Sequence, residues 1–305
     1  MKQLIESGDP DYDKFHFMWN ITNWCNYDCY YCYAKEIMVD SWQKDESISK
    51  YKLVLKRLEH FDSPFEVDLL GGEPTLHPHL NEILTKLTSI KNCKKAEIFT
   101  NLSRPLSYFK KLEKEIKSPI AISASFHAEY YDPKFLEKIL LLKNMEKLKV
   151  RVTMVIIDKE EYWELSKKVL DKLIENDIGY SLHLLHETGF WKPNYSEEMM
   201  NHFKPYETKN QHSLYYIDYK YSDGTKEKIT TLDVISKDLN RFNKFKCDSR
   251  FFDIRFDGEI INTCTRKKIN SIILKKEFMN NIVTCPRHYC ACESMLNCHK
   301  VKNEG

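Results

Sequence analysis

Between Phe15 and Leu185 the sequence alternates short apolar runs, often β-branched, with longer stretches of helical period. The spacing predicts strands over 15–22, 65–70, 96–100, 120–125, 150–156 and 179–185. Helices are expected over 48–61, 79–90, 105–116, 133–144 and 159–175, two of them opening on a proline that suits a first helical position. Strands alternating with helices of this length imply right-handed crossovers and a parallel sheet. Six such units over about 170 residues make an incomplete barrel, because the closed eight-unit form takes about 250. The expected fold class is therefore α/β: an incomplete (β/α)6 barrel with a small cysteine-rich C-terminal domain. In such a barrel, ligands belong at the C-terminal ends of the strands.

After Glu187 the pattern breaks at Thr188-Gly189-Phe190-Trp191-Lys192-Pro193, and a helical stretch over 196–203 and a hairpin turning at Ser222-Asp223-Gly224 are expected to cap the barrel mouth. Beyond Cys247, the run FFDIRFDGEIINTC alternates apolar and polar residues around Asp257-Gly258, which predicts a hairpin flanked by Cys247 and Cys264. The tail that follows is too small to build a core without a staple, which a metal would supply. The expected division is 1–187 for the barrel, 188–245 for the connector and 246–305 for the tail domain.

Lys and Arg number 47 against 45 Asp and Glu, so no basic surplus points to nucleic acid or to an anionic membrane. The longest nearly apolar run, 152–157, is far short of the roughly 20 residues a membrane helix needs. The start, MKQLIESGDPDYDKF, has acids and a proline where a signal peptide has a basic and then apolar stretch, so a cytoplasmic protein is expected. Ten cysteines in a reducing compartment suit metal ligands or redox thiols better than disulfides. Cys25, Cys29 and Cys32 lie near the start, and Cys247, Cys264, Cys285, Cys290, Cys292 and Cys298 near the end, with only Cys93 between them. This segregation suggests one metal centre at each end of the chain, and Cys93 is expected in the core.

Cys25-Asn26-Tyr27-Asp28-Cys29-Tyr30-Tyr31-Cys32 has the spacing C-x3-C-x2-C directly after the first expected strand. Three thiolates on an iron-sulfur cube leave one iron free for a non-protein ligand. Gly71-Gly72-Glu73-Pro74 follows the second strand; its glycines let backbone approach a neighbour closely and its carboxylate can accept hydrogen bonds from an ammonium, although alone it could be a turn.

These segments resemble the radical S-adenosylmethionine (radical SAM) superfamily, whose signature is C-x3-C-x-aromatic-C after the first barrel strand, with Tyr31 at the aromatic position, and whose GGEP motif matches Gly71 to Pro74. The resemblance covers about residues 15 to 190. It implies an open [4Fe-4S] cluster whose free iron chelates S-adenosylmethionine, one-electron cleavage to a 5′-deoxyadenosyl radical, and abstraction of a hydrogen atom from a substrate. It also implies that Glu73 meets the methionyl ammonium, Ser123 and Ser125 the ribose hydroxyls and Arg151 the methionyl carboxylate. Backbone around Tyr31 and Leu184 would frame adenine, and Thr100 and Asn101 would line the pocket. A flavodoxin- or ferredoxin-like protein would supply the electron. Ordinary strand-end polarity is the alternative for each of these softer matches.

The tail resembles the SPASM and shorter twitch extensions of the family, which place two cysteines around a hairpin with a glycine before the second. Gly258 precedes Cys264 by six residues, one more than the usual pattern, and C-x4-C-x-C-x5-C departs from the full SPASM spacing, so a single twitch-like [4Fe-4S] cluster fits better than two. Its ligands would be Cys247, Cys264 and two of Cys285, Cys290 and Cys292; four cysteines also satisfy a structural zinc. Cys298 or an unused thiol of the run could donate a hydrogen atom to a substrate radical, as in radical epimerases of the superfamily, or be inert.

His127, His183, His186 and Glu187 fall at or just past strand ends, where each could bind substrate or move a proton, or be structural. His77 and His79 are expected to cap the helix that follows them. The implied activity is oxidation, epimerisation or cross-linking of a small molecule, a sugar or a peptide. The absence of a separate N-terminal peptide-binding domain tilts the expectation towards a small molecule or sugar. An iron-sulfur electron carrier and a zinc-stapled binding module are the readings from other classes.

Overall fold

A computed structural model of the chain describes residues 2–10, 13–185, 194–206, 216–230, 233–234, 237–270, 274–276, 279, 282–285, 290, 296 and 298–303. After β1 (Leu4–Ser7), the chain runs β2 (Phe15–Thr22), α1 (Tyr51–Glu59), β3 (Phe65–Gly71), α2 (Leu80–Leu87), β4 (Cys93–Thr100), α3 (Leu106–Glu115), β5 (Ile120–Phe126), α4 (Phe135–Lys143), β6 (Leu148–Ile156), α5 (Trp163–Glu175) and β7 (Tyr180–Leu184). Then follow α6 (Glu197–Phe203), β8 (Tyr216–Tyr221), β9 (Lys226–Thr230), β10 (Phe245–Asp248), β11 (Phe251–Ile254), β12 (Ile260–Asn262), β13 (Ile282–Thr284) and β14 (Lys300–Lys302).

Strands β2 to β7 pair in sequence order and all in parallel, as strand-helix alternation demands. Along each strand, alternate side chains such as Phe17, Leu69, Ile98, Ile122 and Met154 are fully buried. On α2, Leu80, Ile83, Leu84 and Leu87 recur at helical spacing and are equally buried. Each such side chain removed from water is worth about 1.5–3 kcal/mol. The opposite sheet face, with Met18, Asn20, Leu70, Phe99, Ser125, Thr153 and His183, is only partly covered. It also carries polar pairs: His16 Nε2 to Asp68 at 2.7 Å, Arg151 Nε to Glu97 at 2.8 Å and Ser123 to Thr153 at 2.8 Å.

Helix starts differ from expectation by a few residues, for local reasons. The stretch expected to open the first helix at Ile48 is instead a 3-10 turn, Glu46–Ser49, started by Asp45, whose carboxylate accepts the Ser47 N–H at 3.0 Å. Both prolines stand just outside their helices: Pro105 is the extended residue before α3, and Pro133 precedes Lys134, the cap of α4. His77 and His79 do not cap α2 through their side chains towards its first turn; the His77 ring accepts the His79 N–H at 3.1 Å.

The hairpin around Gly258 forms as β11 and β12, with Phe252 opposite Asn262 and Ile254 opposite Ile260. It does not stand apart, because β11 pairs in parallel with β2, Phe251 opposite His16 to Ile254 opposite Trp19. The main sheet therefore has the order β12-β11-β2-β3-β4-β5-β6-β7. Arg57 of α1 anchors the hairpin by donating to the carbonyls of Gly258 at 3.1 Å and Ile269 at 2.7 Å. A second sheet, in the order β13-β10-β14-β1-β8-β9, joins the start of the chain, the connector hairpin and the tail. The register explains why the start is there: Glu6 lies opposite both Val301 and Lys220.

Candidate functional site

The cysteine loop leaves the C-terminal end of β2 and is anchored at its root. Asp45 accepts the Thr22 hydroxyl and the Asn23 N–H, the latter at 2.8 Å, while Val39 N–H returns to the Asn23 carbonyl at 3.0 Å and closes the loop. Within it, Cys29 is buried and Cys25 and Cys32 are half-buried, and Cys32 N–H turns back to the Cys29 carbonyl at 3.1 Å. Burial raises all three thiols, Cys25 to about 11 and Cys29 to about 12. Opposing this, Tyr27 N–H reaches Cys25 Sγ at 3.4 Å, and the nearby Tyr31 hydroxyl favours the Cys29 thiolate. Such donors suit anionic sulfur and tune iron-sulfur centres.

Gly71 and Gly72 serve this loop directly. A Cβ on Gly71 would stand 2.1 Å from the Thr22 carbonyl oxygen, and one on Gly72 2.1 Å from that of Trp24. Gly71 also has φ +124, which L side chains rarely adopt. The space so gained lets Gly72 N–H donate to Thr22 O at 2.7 Å and Glu73 N–H to Trp24 O at 2.9 Å, next to Cys25. The Glu73 carboxylate is buried and accepts four bonds from the chain: Thr75 N–H at 2.9 Å, the Thr75 hydroxyl at 2.6 Å, the Thr100 hydroxyl at 2.7 Å and Asn101 N–H at 2.7 Å. Burial raises its pKa against these donors. Three of the bonds fall on Oε1, and Oε2 receives only Asn101 among the described residues. Pro74 starts the short turn Pro74–Leu76 that follows.

The loop beyond β5 closes over the cysteine loop. His127 Nδ1 lies 2.8 Å from the Tyr31 hydroxyl and 3.9 Å from Cys29 Sγ, with its ring parallel to that of Tyr31. Tyr130 accepts Asp28 N–H at 3.0 Å and stacks on Tyr27, ring centroids 4.3 Å apart. Burial lowers the His127 pKa to about 4, which keeps the ring neutral. Tyr27, Asn101, Ser125, His127 and Tyr130 line one small cavity. Asn26, Tyr27 and Tyr130 escaped the sequence reading; two of them lie inside the cysteine motif, where the spacing drew attention to the thiols alone.

The softer expectations are distributed differently. Thr100 and Asn101 converge on Glu73, whereas Ser123 is paired with Thr153 and Arg151 with Glu97. Leu184 is buried at the end of β7, opposite Ile156. His186 and Glu187 lie outside the described residues. A wider groove of about 740 Å³, lined by Lys52, Glu59, Glu82 and Lys117 among others, lies at the outer helices rather than at these strand ends.

In the tail, Cys247, Cys290 and Cys298 are buried in one apolar cluster, with Cys264 and Cys285 packed against it. Cys247 and Cys298 are packed in the same buried cluster and interact electrostatically, which raises the Cys247 pKa and lowers that of Cys298, with buried Lys300 favouring both thiolates. Cys292 lies outside the described residues. Among the described residues no three His, Cys, Asp or Glu side chains stand close enough to hold a single metal ion. Cys93 begins β4 and packs against the core.

The fold and site define an α/β protein whose parallel sheet presents three thiols on the loop after β2, tied to a glycine-rich segment after β3. A family model for the radical SAM superfamily matches residues 19–188, and the chain belongs to that superfamily. Its members are enzymes, and membership implies a [4Fe-4S] cluster and S-adenosylmethionine. No curated protein matches the sequence. Among solved structures, SuiB of Streptococcus suis bound to S-adenosylmethionine is similar at TM-score 0.55 and 16% identity, over 85% of this chain and 64% of that one. Native anSMEcpe with bound AdoMet is similar at TM-score 0.54 and 18% identity, over 87% and 80%; the same enzyme with AdoMet and the Cp18Cys peptide gives 0.53 and 17%. The match thus spans less than two thirds of SuiB, and at these identities the likeness is one of fold. No helix among the described residues is long and apolar enough to cross a membrane.

Proposed function

We propose that Cys25, Cys29 and Cys32 hold an open [4Fe-4S] cluster and that the chain uses it to abstract a hydrogen atom from a small-molecule, sugar or peptide substrate. The observation that carries this reading is the backbone pairing of Gly72 and Glu73 with Thr22 and Trp24, which fastens the GGEP segment to the root of the cysteine loop. When bound, the cluster supplies the electron that cleaves S-adenosylmethionine to a 5′-deoxyadenosyl radical. The chain's own part is to orient and to shield. Gly71, Gly72, Glu73 and Pro74 form one wall; Tyr31, Thr100, Asn101, Ser123, Ser125, Arg151 and Leu184 supply the other contacts to the cofactor. His127, His186 and Glu187 are the candidates for contact with the substrate.

A second [4Fe-4S] cluster in the tail completes the reading, assisting oxidation, epimerisation or cross-linking. Cys247 and Cys264 are its first ligands, with Cys285, Cys290 and Cys292 as candidates for the others. The burial of Cys298 beside Cys247 supports adding it to the ligand set ahead of a hydrogen-donor role. In this reading the architecture is an incomplete barrel of β2 to β7, extended at one edge by the β11–β12 hairpin, with an auxiliary unit built on the second sheet, which β1 joins. A flavodoxin- or ferredoxin-like donor and a cytoplasmic setting belong to the same reading, since free thiols and clusters need a reducing compartment.

The test is anaerobic reconstitution with iron and sulfide, then dithionite and S-adenosylmethionine, scoring 5′-deoxyadenosine and iron per chain. Expected are 5′-deoxyadenosine, lost in Cys29→Ala, and about eight irons. An iron-loaded protein that forms none is an electron carrier. Turnover with only about four irons returns the tail to zinc.

A further inference from the structure

We infer that Lys138 of α4 is a positioning residue for the cofactor: its ammonium holds the carbonyl of Leu102, and the turn so fixed orients the Glu73 carboxylate that receives the amino group of S-adenosylmethionine. The inference rests on the reading above, in which Glu73 meets that amino group, and adds to it the device that sets the carboxylate.

Lys138 stands where α4 calls for an apolar residue. Phe135, Lys138, Ile139 and Leu142 are the buried positions of the helix, and Lys138 is 8% exposed. A cation is kept at such a position only when it is paired and hydrogen-bonded. Its Nζ donates to Leu102 O at 2.9 Å and to Asp132 Oδ2 at 3.1 Å. Asp132 ends the loop that carries His127 and Tyr130, so one ammonium joins the segments after β4 and β5.

Leu102 explains why the turn needs this grip. It has φ +56, a left-handed conformation that a Cβ disfavours. Its side chain is fully buried, so glycine, which adopts that conformation freely, would leave a hole there. The strained residue is held from both ends: Leu102 N–H donates to the Thr100 hydroxyl at 3.0 Å, and Lys138 takes the carbonyl. Each Glu73 oxygen is met from this turn, Oε1 by the Thr100 hydroxyl and Oε2 by Asn101 N–H, both at 2.7 Å. Oε1 has three donors, whereas Oε2 has one among the described residues and can take a second. Released from Lys138, the turn relaxes towards ordinary backbone, Asn101 N–H leaves Oε2, and the carboxylate loses its fixed orientation.

The experiment is equilibrium dialysis of S-adenosylmethionine, and of its analogue lacking the amino group, against the reconstituted full chain, with iron counted in each sample. Lys138→Met keeps the stem and removes the ammonium; the Asp132 side chain, 42% exposed, is not left as a buried charge. This variant is expected to hold wild-type iron, to bind S-adenosylmethionine about tenfold more weakly and to bind the analogue unchanged, so the preference for the amino group falls about tenfold. In steady state with dithionite, KM should rise by the same factor while kcat stays within about twofold. Lys138→Arg still donates to the carbonyl and should recover most of the preference. Arg57→Met removes a buried cation that holds the β11–β12 hairpin instead, and should leave the preference as in the wild type, which separates positioning from a general loss of stability. If Lys138→Met does not fold, Lys138→Gln, too short to reach Leu102 O, reads the same loss. An unchanged preference in iron-loaded Lys138→Met or Lys138→Gln overturns the inference, as does an equal fall in Arg57→Met. A wild type that binds both ligands equally means that the reading of Glu73 itself has failed, an outcome seen without any variant.

Discussion

Asn101 Nδ2 donates to Asn26 Oδ1 at 2.9 Å, which ties the loop leaving β4 to the middle of the cysteine loop. Through its own N–H, Asn101 also holds Glu73, so one residue links the segments after β2, β3 and β4. Asn101→Ala removes the bond to Asn26 and the one its Oδ1 accepts from Ser103 N–H, and keeps the backbone one. We expect a loss of about 1–2 kcal/mol in urea unfolding, together with faster loss of iron from the reconstituted protein. Iron retention equal to wild type would show that the link does not steady the cysteine loop.

Gly71 and Gly224 both have positive φ, +124 and +84, but only Gly71 is hemmed in, by the Thr22 backbone, whereas nothing lies within 4 Å of the Cβ position at Gly224. Gly224→Ala should therefore cost about 1 kcal/mol from conformation alone. Gly71→Ala must in addition push β3 away from Thr22 and should cost more than about 3 kcal/mol. Comparable unfolding midpoints for the two variants would contradict the close approach.

Arg57 spans α1 and the β11–β12 hairpin, and its removal leaves two buried carbonyls without their donor. Arg57→Met keeps most of the apolar stem. It should lower stability by about 2–4 kcal/mol and expose the 255–270 region to limited proteolysis before strands β3 to β7 are cut. Cleavage beginning elsewhere would mean that the hairpin is held mainly by its pairing with β2.

His77 supplies a pH dependence. Its ring is buried, Nδ1 accepts the His79 N–H and Nε2 has no partner among the described residues; burial lowers its pKa from 6.5 to about 4. Between those values the unfolded chain binds the extra proton and the folded one does not, so the contribution is complete above pH 6.5 and is lost as pH falls towards 4. The full difference is about 3 kcal/mol. Urea unfolding at pH 7 and pH 4.5 should show a smaller decline in His77→Asn, whose side chain can still accept the His79 N–H. Equal declines in both proteins would assign the acid sensitivity to other groups.

Much of this was open to a reading of the chain. Alternation of apolar runs with helical stretches marked all of β2 to β7, because a strand buried on one face and an amphipathic helix each write their period locally. The cysteine spacing and the GGEP run were equally plain, being contiguous. Helix starts were less so, since a single capping carboxylate, Asp45, converts an expected first turn into a separate 3-10 turn.

Sequence by itself determined the parallel α/β core, the three-thiol loop after its first strand and the gathering of cysteines at the tail. Tertiary structure alone decided that the Gly258 hairpin extends the main sheet beside β2, that β1 joins the tail in a second sheet, and that Cys298 shares a buried cluster with Cys247. It also decided that the GGEP glycines make room for Thr22 and Trp24, and that His127 Nδ1 meets both the Tyr31 hydroxyl and the Cys29 sulfur. The physical reason is range. Periodicity and motifs are properties of neighbours in the chain, whereas strand partners and hydrogen bonds across the sheet join residues tens to hundreds of positions apart, and only the packed fold brings them together.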